Sequence, residues 1–392
     1  FMGKRSFAAR LQQLFSAHDM TLGAPWKRIL EFAIPMLIGN IAQQLYNTVD
    51  SIVIGKYVGD NALAAVGSAS PILNLLLVLF VGISVGAGVM VSQYFGARQR
   101  EELSMTIGNC VTLTAISSLI IMFLGAVLSR PLLEMLHTPD SIIDWCTSYL
   151  MVGCMGSAYY NILCGILRGL GDSISALIYL LVATVLNIIL DIVFVSCFQM
   201  GVAGVAYATV IAQAVSAILC FWKLLRMTDI FDFKFRHLKM KKKYTLEIIR
   251  LGLPSGITQA IFSMAMVIVQ SLTNSFGEMV IAANVIIMRV DGFAMMPNFS
   301  FGTAMTTYAG QNVGAHRMDR VEQGARQGTA IALGTSAVIT LLILVFGKNL
   351  MAIFTDTSEL VTLSANMMKI LAVGYLAMAI TQSLSGVMRG AG

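Results

Sequence analysis

FAIPMLIGNIAQ at 32–43 and LGLPSGITQAIF at 251–262 read as two versions of one helix, with Pro35 over Pro254. The likeness continues downstream. SQYFGARQRE at 92–101 pairs with GQNVGAHRMD at 310–319, and RGLGD at 168–172 pairs with RGAG at 389–392. The motifs keep their order at an interval of about 219 residues, well beyond the ~20–50 residues of a solenoid unit. The chain is therefore a tandem duplication of one large unit.

Each unit is built from apolar segments. Periodicity and length predict helices at 27–55, 62–94, 103–128, 141–167, 173–198 and 201–225 in the first copy. The second copy gives 247–275, 279–312, 320–346 and 360–388. Each exceeds the ~20 residues needed to span a bilayer. Composition agrees: 57% of the 392 residues are hydrophobic and 12% are charged, against about 25% charged in soluble domains. That balance excludes a disordered chain, a nucleic-acid-binding tail protein and an ordinary soluble enzyme. The net charge of +6 then has a topological meaning. With the N-terminus inside, 21 of the 26 Lys and Arg fall on the inner side, among them Lys4, Arg5 and Arg10. The outer side holds Lys56, Arg130 and Lys348, while Arg289 and Lys369 fall within spans. This asymmetry predicts a multi-pass inner-membrane protein with a cytoplasmic N-terminus.

The expected fold class is an all-α polytopic membrane protein. Six helices per unit, an even number, give both copies the same orientation, so two six-helix lobes are related by a pseudo-two-fold along the membrane normal. The division expected is a cytoplasmic segment at 1–24, an N-lobe at 25–225, a basic linker at 226–245 and a C-lobe at 246–392. The second copy reaches only its fourth helix, so ten transmembrane helices are predicted here. Repeat arithmetic predicts that about 50 further residues, two spans of ~20 plus loops, complete the second lobe. No cleavable leader is evident at the N-terminus.

Polar residues inside apolar helices mark faces that look onto protein or water. In helix 1, Asn40, Gln43, Asn47 and Asp50 step by 3, 4 and 3, with Tyr46 one turn before Asp50. In helix 5, Thr184, Asn187 and Asp191 step by 3 and 4, and Thr209 of helix 6 joins them if the two form a hairpin. Amides alone serve as interhelical bonds. Two acids on such stripes point instead to a cation or proton site. Adjacent carboxylates repel, and a proton or Na⁺ relieves that repulsion. Two carboxylates, an amide carbonyl and a hydroxyl form an oxygen-rich set suited to a hard cation.

The second copy keeps the stripe without the acid. Gln259, Ser263, Met266, Gln270 and Asn274 share a face, and Val269 stands where Asp50 stands in the first. Asp291 in helix 8 lies among Asn284, Met288, Met295 and Asn298. It could line the cavity, attract a cationic substrate or neutralise a base such as Lys369; Arg289 points nearly the other way. Pro35, Pro71, Pro254 and Pro297 can kink their helices. The 25 Met suit either gap filling or an adaptable binding surface. Six dispersed Cys and four dispersed His give no metal-ligand spacing. The run KMKKKYT at 239–245 reads as a linker against anionic lipid. No Walker A, GxSxG or HExxH motif occurs, so neither ATP coupling nor an enzyme is expected.

These residues resemble the multidrug and toxic compound extrusion (MATE) family. The likeness rests on 32–67, SQYFGAR, RGLGD, GVAGVAYATVIAQ at 201–213 and AGQNVGAH at 309–316, and it covers nearly all of 21–392. It implies twelve helices in two lobes around a central cavity. It also implies export of cationic or amphipathic drugs in exchange for Na⁺ or H⁺, with no other cofactor. Within the family the chain is similar to the branch named for the DNA-damage-inducible protein F. That branch's coupling residues fall on Asp50, Asn187, Asp191 and Thr209, a set able to hold Na⁺, and its kinking proline falls on Pro35. Where the branch can carry an Asn in helix 4, Cys164 stands here, with Asn161 one turn earlier. The substrate cavity is expected at Asn40, Gln43, Tyr46, Asn47, Asn161, Gln259 and Asp291. Expected partners are lipophilic cations and membrane lipid, not nucleic acid, with the chain acting as a monomer. A lipid-linked saccharide flippase of the same superfamily is the alternative, and a membrane enzyme or channel a more distant one.

Overall fold

The computed structural model describes residues 17–135 and 140–392. Lys4, Arg5, Arg10 and His137 lie outside it, as do the side chains of Ser51, Pro71, Gln270 and Asn274. The described residues form ten long helices: α1 (Pro25–Tyr57), α2 (Asp60–Gly96), α3 (Arg100–Met135), α4 (Asp140–Gly169), α5 (Ser173–Ile192), α6 (Gly201–Arg226), α7 (Lys242–Asn274), α8 (Glu278–Gly314), α9 (Met318–Ala352) and α10 (Ser358–Ala391). Eight helical stretches among the described residues are long and apolar enough to cross a membrane: the second part of α2, then α3–α6 and α8–α10. That is two fewer than the sequence predicts. The two outside that set, α1 and α7, open the two repeats and carry the polar stripes.

Local chemistry sets the helix ends. Pro25 sits in the first turn of α1, where a missing N–H costs nothing. Gly59 (φ 114°) and Gly277 (φ 94°) make the matching reversals before α2 and α8, a backbone region that glycine enters freely. Asp172 of the RGLGD motif caps α5, accepting from the Ser175 N–H at 2.9 Å and the Ser175 hydroxyl at 2.7 Å. Immediately after Asp191, α5 widens into a π-helical turn at Val193–Cys197. Such turns are frequent at functional sites.

The packing recurs between the repeats. Contacts of α2 with α4 and of α3 with α4 have counterparts in α8 with α10 and α9 with α10. Across the repeats, α1 packs on α8 as α7 packs on α2, and α2 meets α8 directly. One large core fills the first repeat around Phe80, Leu103, Ile107 and Ile166. A second joins α1 to α8 and α9 through Phe32, Phe301, Met305 and Tyr308. Large apolar side chains also cover the outside. Phe123 is 67% exposed and Ile370 78% exposed, apolar surface of the kind that faces lipid.

The segment after α6 does not hang free. Asp232 N–H donates to Ser104 (2.9 Å), Lys241 N–H to Asn109 Oδ1 (2.7 Å) and Thr112 to the Leu238 carbonyl (2.7 Å). Arg100 pairs with Asp232 at 2.9 Å and Lys243 with Glu102 at 3.0 Å. The Arg100 guanidinium holds the Asp232 carboxyl below its usual range. Much of this linker is therefore docked on α3 and part of its charge is paired, so it is more than a basic strand laid against lipid.

Candidate functional site

The α5–α6 hairpin brings Asn187, Asp191 and Thr209 against the second half of α1. Asn187 and Asp191 are fully buried and Tyr46 is 7% exposed. The Tyr46 hydroxyl donates to Thr209 Oγ1 at 3.0 Å, and Thr209 donates to the Val205 carbonyl at 3.0 Å. The Asn187 amide sits between the two acids. With its oxygen accepting from the Thr209 N–H (3.2 Å), its nitrogen donates to Asp50 Oδ1 (2.9 Å) and Asp191 Oδ2 (3.1 Å). Turned over, the same nitrogen lies 3.4 Å from Thr209 Oγ1, and the amide oxygen then faces the carboxyl groups. Asp50 and Asp191 are themselves within hydrogen-bonding reach of each other. Asp191 Oδ1 is shut off from solvent without a hydrogen-bond partner. The arrangement can bind a proton or a small cation between two acids, and it offers two positions for the amide that answers to it.

The residues expected to line the cavity separate into different places. An open cleft of about 1010 Å³ lies between the second half of α1 and the first half of α8, with Asn47 on its wall. Asn40 instead donates to Ser300 at 2.9 Å, tying α1 to α8. Tyr46 belongs to the acidic cluster. Gln43 is half-buried, and Gln259 is exposed on α7. Asn161 is half-buried in α4, where its carbonyl accepts from Ser84 at 2.8 Å. Cys164, in the same helix, lies with its sulfur 3.8 Å from that of Cys220. Asp291 accepts from the Tyr375 hydroxyl at 2.8 Å. Its partner is a phenol and not Lys369, which is exposed on another face of α10.

The cleft's charged lining is Lys56 and Arg289, accompanied by Gln44, Asn47 and Thr48. Arg289 points into the cleft because α8 turns its Val285–Met288–Arg289 face towards α1 and buries Ile286 and Ile287 on the other side. Reading Arg289 only against Asp291 missed this. The helical phase of the apolar residues beside it was the available signal.

At the opposite end the repeats close on each other. Gln93 Nε2 donates to the Gly390 carbonyl (2.9 Å) and Gln311 Nε2 to the Gly169 carbonyl (3.2 Å). These are the same two motif positions used twice, once in each direction. A Cβ at Gly96 would collide with the Gln311 carbonyl, and one at Gly314 with the Gln93 carbonyl. Glycine is needed there for the close approach of α2 and α8.

The family model MatE matches residues 35–193 and 254–392. The chain is 30% identical over 379 residues to the probable multidrug resistance protein YpnP of Bacillus subtilis (strain 168), covering 96% of this chain and 85% of that one. It is 28% identical over 377 residues to the probable multidrug resistance protein YoeA of the same organism, with 94% and 81% covered. Among solved structures, an outward-facing multidrug resistance MATE family transporter of the MOP superfamily superposes with a TM-score of 0.88 at 25% identity, covering 96% of this chain and 85% of that one. A MOP superfamily transporter from Pyrococcus furiosus, described as having a binding pocket of reverse polarity, superposes with a TM-score of 0.86 at 25% identity, covering 95% and 84%.

Proposed function

The chain belongs to the MatE family of transporters, and on that premise we propose that it is a secondary active antiporter. In this reading it exports amphipathic small molecules by alternating access, in exchange for Na⁺ or H⁺. The observation that carries the coupling is the Asp50–Asn187–Asp191–Thr209 cluster, in which Asn187 and Asp191 are fully buried. In the ion-free state the Asn187 amide nitrogen bridges the acids. When a proton or Na⁺ enters beside Asp191 Oδ1, the bridge is no longer needed. The amide turns its oxygen to the cation and its nitrogen to Thr209. Ligand-dependent repacking of this kind, on α1, α5 and α6 together, gives the differential affinity that alone can bias one conformation over another.

The whole transporter is inferred to have two lobes related by a pseudo-two-fold, supported by the reciprocal contacts of α1 with α8 and α7 with α2. The end sealed by Gln93 and Gln311 is assigned to the cytoplasm, supported by the basic residues gathered there. The α1–α8 cleft then opens outward. With Lys56 and Arg289 as its charged lining, it suits amphipathic cargo bearing a neutral polar or anionic group better than a simple lipophilic cation.

The test uses full-length protein in liposomes loaded with fluorescent amphipathic probes, under a Na⁺ gradient or a proton gradient imposed separately. Transport driven by one gradient and lost in Asp191→Asn identifies the ion and supports the site. Transport unchanged in Asp191→Asn overturns the coupling assignment. With folded protein, silence under both gradients combined with activity in a lipid-flipping assay would favour the flippase alternative.

A further inference from the structure

A second chamber lies away from both the acidic cluster and the cleft, next to the closed end. It has a volume of about 120 Å³, several times the ~30 Å³ that one water occupies in the liquid. Its polar lining is Ser84 from α2, Arg168 from α4, Thr303, Thr306 and Thr307 from α8, and Arg389 from α10; no carboxylate lines it. Arg168 and Arg389 are the same residue of the repeated RG motif, contributed once by each copy. Both Nε atoms are shut off from solvent without a hydrogen-bond partner.

The hydroxyls of Ser84, Thr303 and Thr306 donate to the carbonyls of Asn161, Phe299 and Gly302, and none of them accepts from either Nε. The helix C-termini supply partial negative charge to each arginine, yet they leave its Nε donor unmatched. The buried Arg320 shows what satisfaction looks like in this protein. Arg320 donates from Nε to Asn312 Oδ1 (3.0 Å) and from Nη2 to the carbonyls of Met20 (3.2 Å) and Gly23 (2.9 Å). Two guanidiniums line one small chamber and repel each other, and each has an unmatched Nε donor. The missing partner is an acceptor-rich anion, since planar guanidinium forks match oxyanions with paired hydrogen bonds.

We propose that this chamber is a binding site for a small oxyanion of the phosphate class, held by Arg168 of the first repeat and Arg389 of the second. Because the neighbouring Gly169 and Gly390 accept the two glutamine bonds, the bound anion ties the repeats together where they already meet. The phosphate could be free in solution or the headgroup of an anionic lipid, and the experiment separates the two.

The protein is placed in nanodiscs of zwitterionic lipid at constant ionic strength. Inorganic phosphate is titrated against chloride while unfolding is followed by tryptophan fluorescence. The expected result is a saturable rise in Tm of a few degrees, lost in Arg168→Gln and in Arg389→Gln alike. Arg130→Gln, which removes an exposed pair with Glu134 and Asp144, keeps it. If phosphatidylglycerol nanodiscs raise the starting Tm and abolish the phosphate response, and both effects vanish in the arginine variants, the lipid headgroup is the source. Should a glutamine variant fail to fold, Arg168→Lys and Arg389→Lys retain the charge without the fork. Phosphate binding by equilibrium dialysis is then expected to weaken about tenfold. Absence of a saturable response to either phosphate or anionic lipid overturns the proposal. So does a response that survives both glutamine variants, or lysine variants that bind as tightly as the parent. None of these readouts depends on transport.

Discussion

Gln93 reaches across to Gly390 and Gln311 across to Gly169, so at the closed end the two repeats do the same thing with the same residues. Towards the open end they diverge. Asp50 of α1 joins a cluster with the buried Asn187 and Asp191, whereas its counterpart in α7 is Val269, which carries no acid. The second repeat has a polar network of its own, but its members satisfy one another. Ser336 donates to Asn298 Oδ1 (2.8 Å), and Tyr375 donates to Asp291 (2.8 Å). Duplication supplied a symmetric seal. Ion chemistry needs an unsatisfied site, and only the first repeat keeps an orphan acid oxygen, on Asp191, among the described residues.

The sharpest way to break this contrast is to neutralise one side and charge the other. Asp50→Asn or Asp191→Asn is expected to lower gradient-driven efflux on the order of 100-fold, towards the upper end of what a coupling free energy spans. Val269→Asp in the Asp191→Asn background is expected to restore nothing, because one acid on α7 cannot rebuild the bridged Asp50–Asn187–Asp191 cluster. Recovery of efflux, measured in the same proteoliposomes, would mean that either repeat can host the ion.

The symmetric end is tested by spoiling it from each side. Gly96→Val and Gly314→Val place a side chain against the Gln311 and Gln93 carbonyls. Overpacking costs about 1–3 kcal/mol, which corresponds to roughly 30-fold less of the closed arrangement at the middle of that range. Spin labels at Gln99 and Met318, both exposed, should report a wider distance in both variants to a similar degree. A shift in one variant alone would show that the seal is not shared equally.

The sequence made the acidic cluster legible for a physical reason. Polar residues at steps of 3 and 4 in an apolar helix can share only one face, and acids there are too costly to be incidental. Asp50, Asn187, Asp191 and Thr209 accordingly meet. What stayed hidden depended on the neighbour each face meets. Tyr46 and Asn47 are adjacent on α1, yet one turns to Thr209 and the other to the cleft. Asn40 sits on the expected stripe but finds Ser300 of α8. The partner of Asp291 is a tyrosine 84 residues away, which charge matching with Lys369 could not suggest. The repeated SQ–G and RG motifs were visible as landmarks of duplication, but their mutual hydrogen bonds appear only once the two copies are placed face to face.

Arg289 bears on the asymmetry more gently. It lines the open cleft from the second repeat, opposite Asn47 and Gln44 of the first. Arg289→Glu should shift preference from anionic or neutral amphipathic probes towards cationic ones by about 5–10-fold. That is the scale of a like- or unlike-charge contact of about 1 kcal/mol at an exposed site. Competition between probes of opposite charge measures the ratio directly, and an unchanged ratio would place cargo recognition elsewhere.

The smallest effect is expected where the second repeat's polar groups are merely structural. Tyr375→Phe removes the hydroxyl that Asp291 accepts from while keeping the ring packed against Met368 and Met295. The loss is the net value of one hydrogen bond to a charged group plus some desolvation of the remaining carboxylate, about 1.5–3 kcal/mol of stability. Gradient-driven efflux, normalised to folded protein, should be close to unchanged. Asp291→Asn should behave alike, since an amide can still accept from the phenol. If either variant instead uncoupled transport as Asp191→Asn is expected to, the acid of the second repeat would belong to the ion pathway. The two repeats would then share their chemistry as well as their seal.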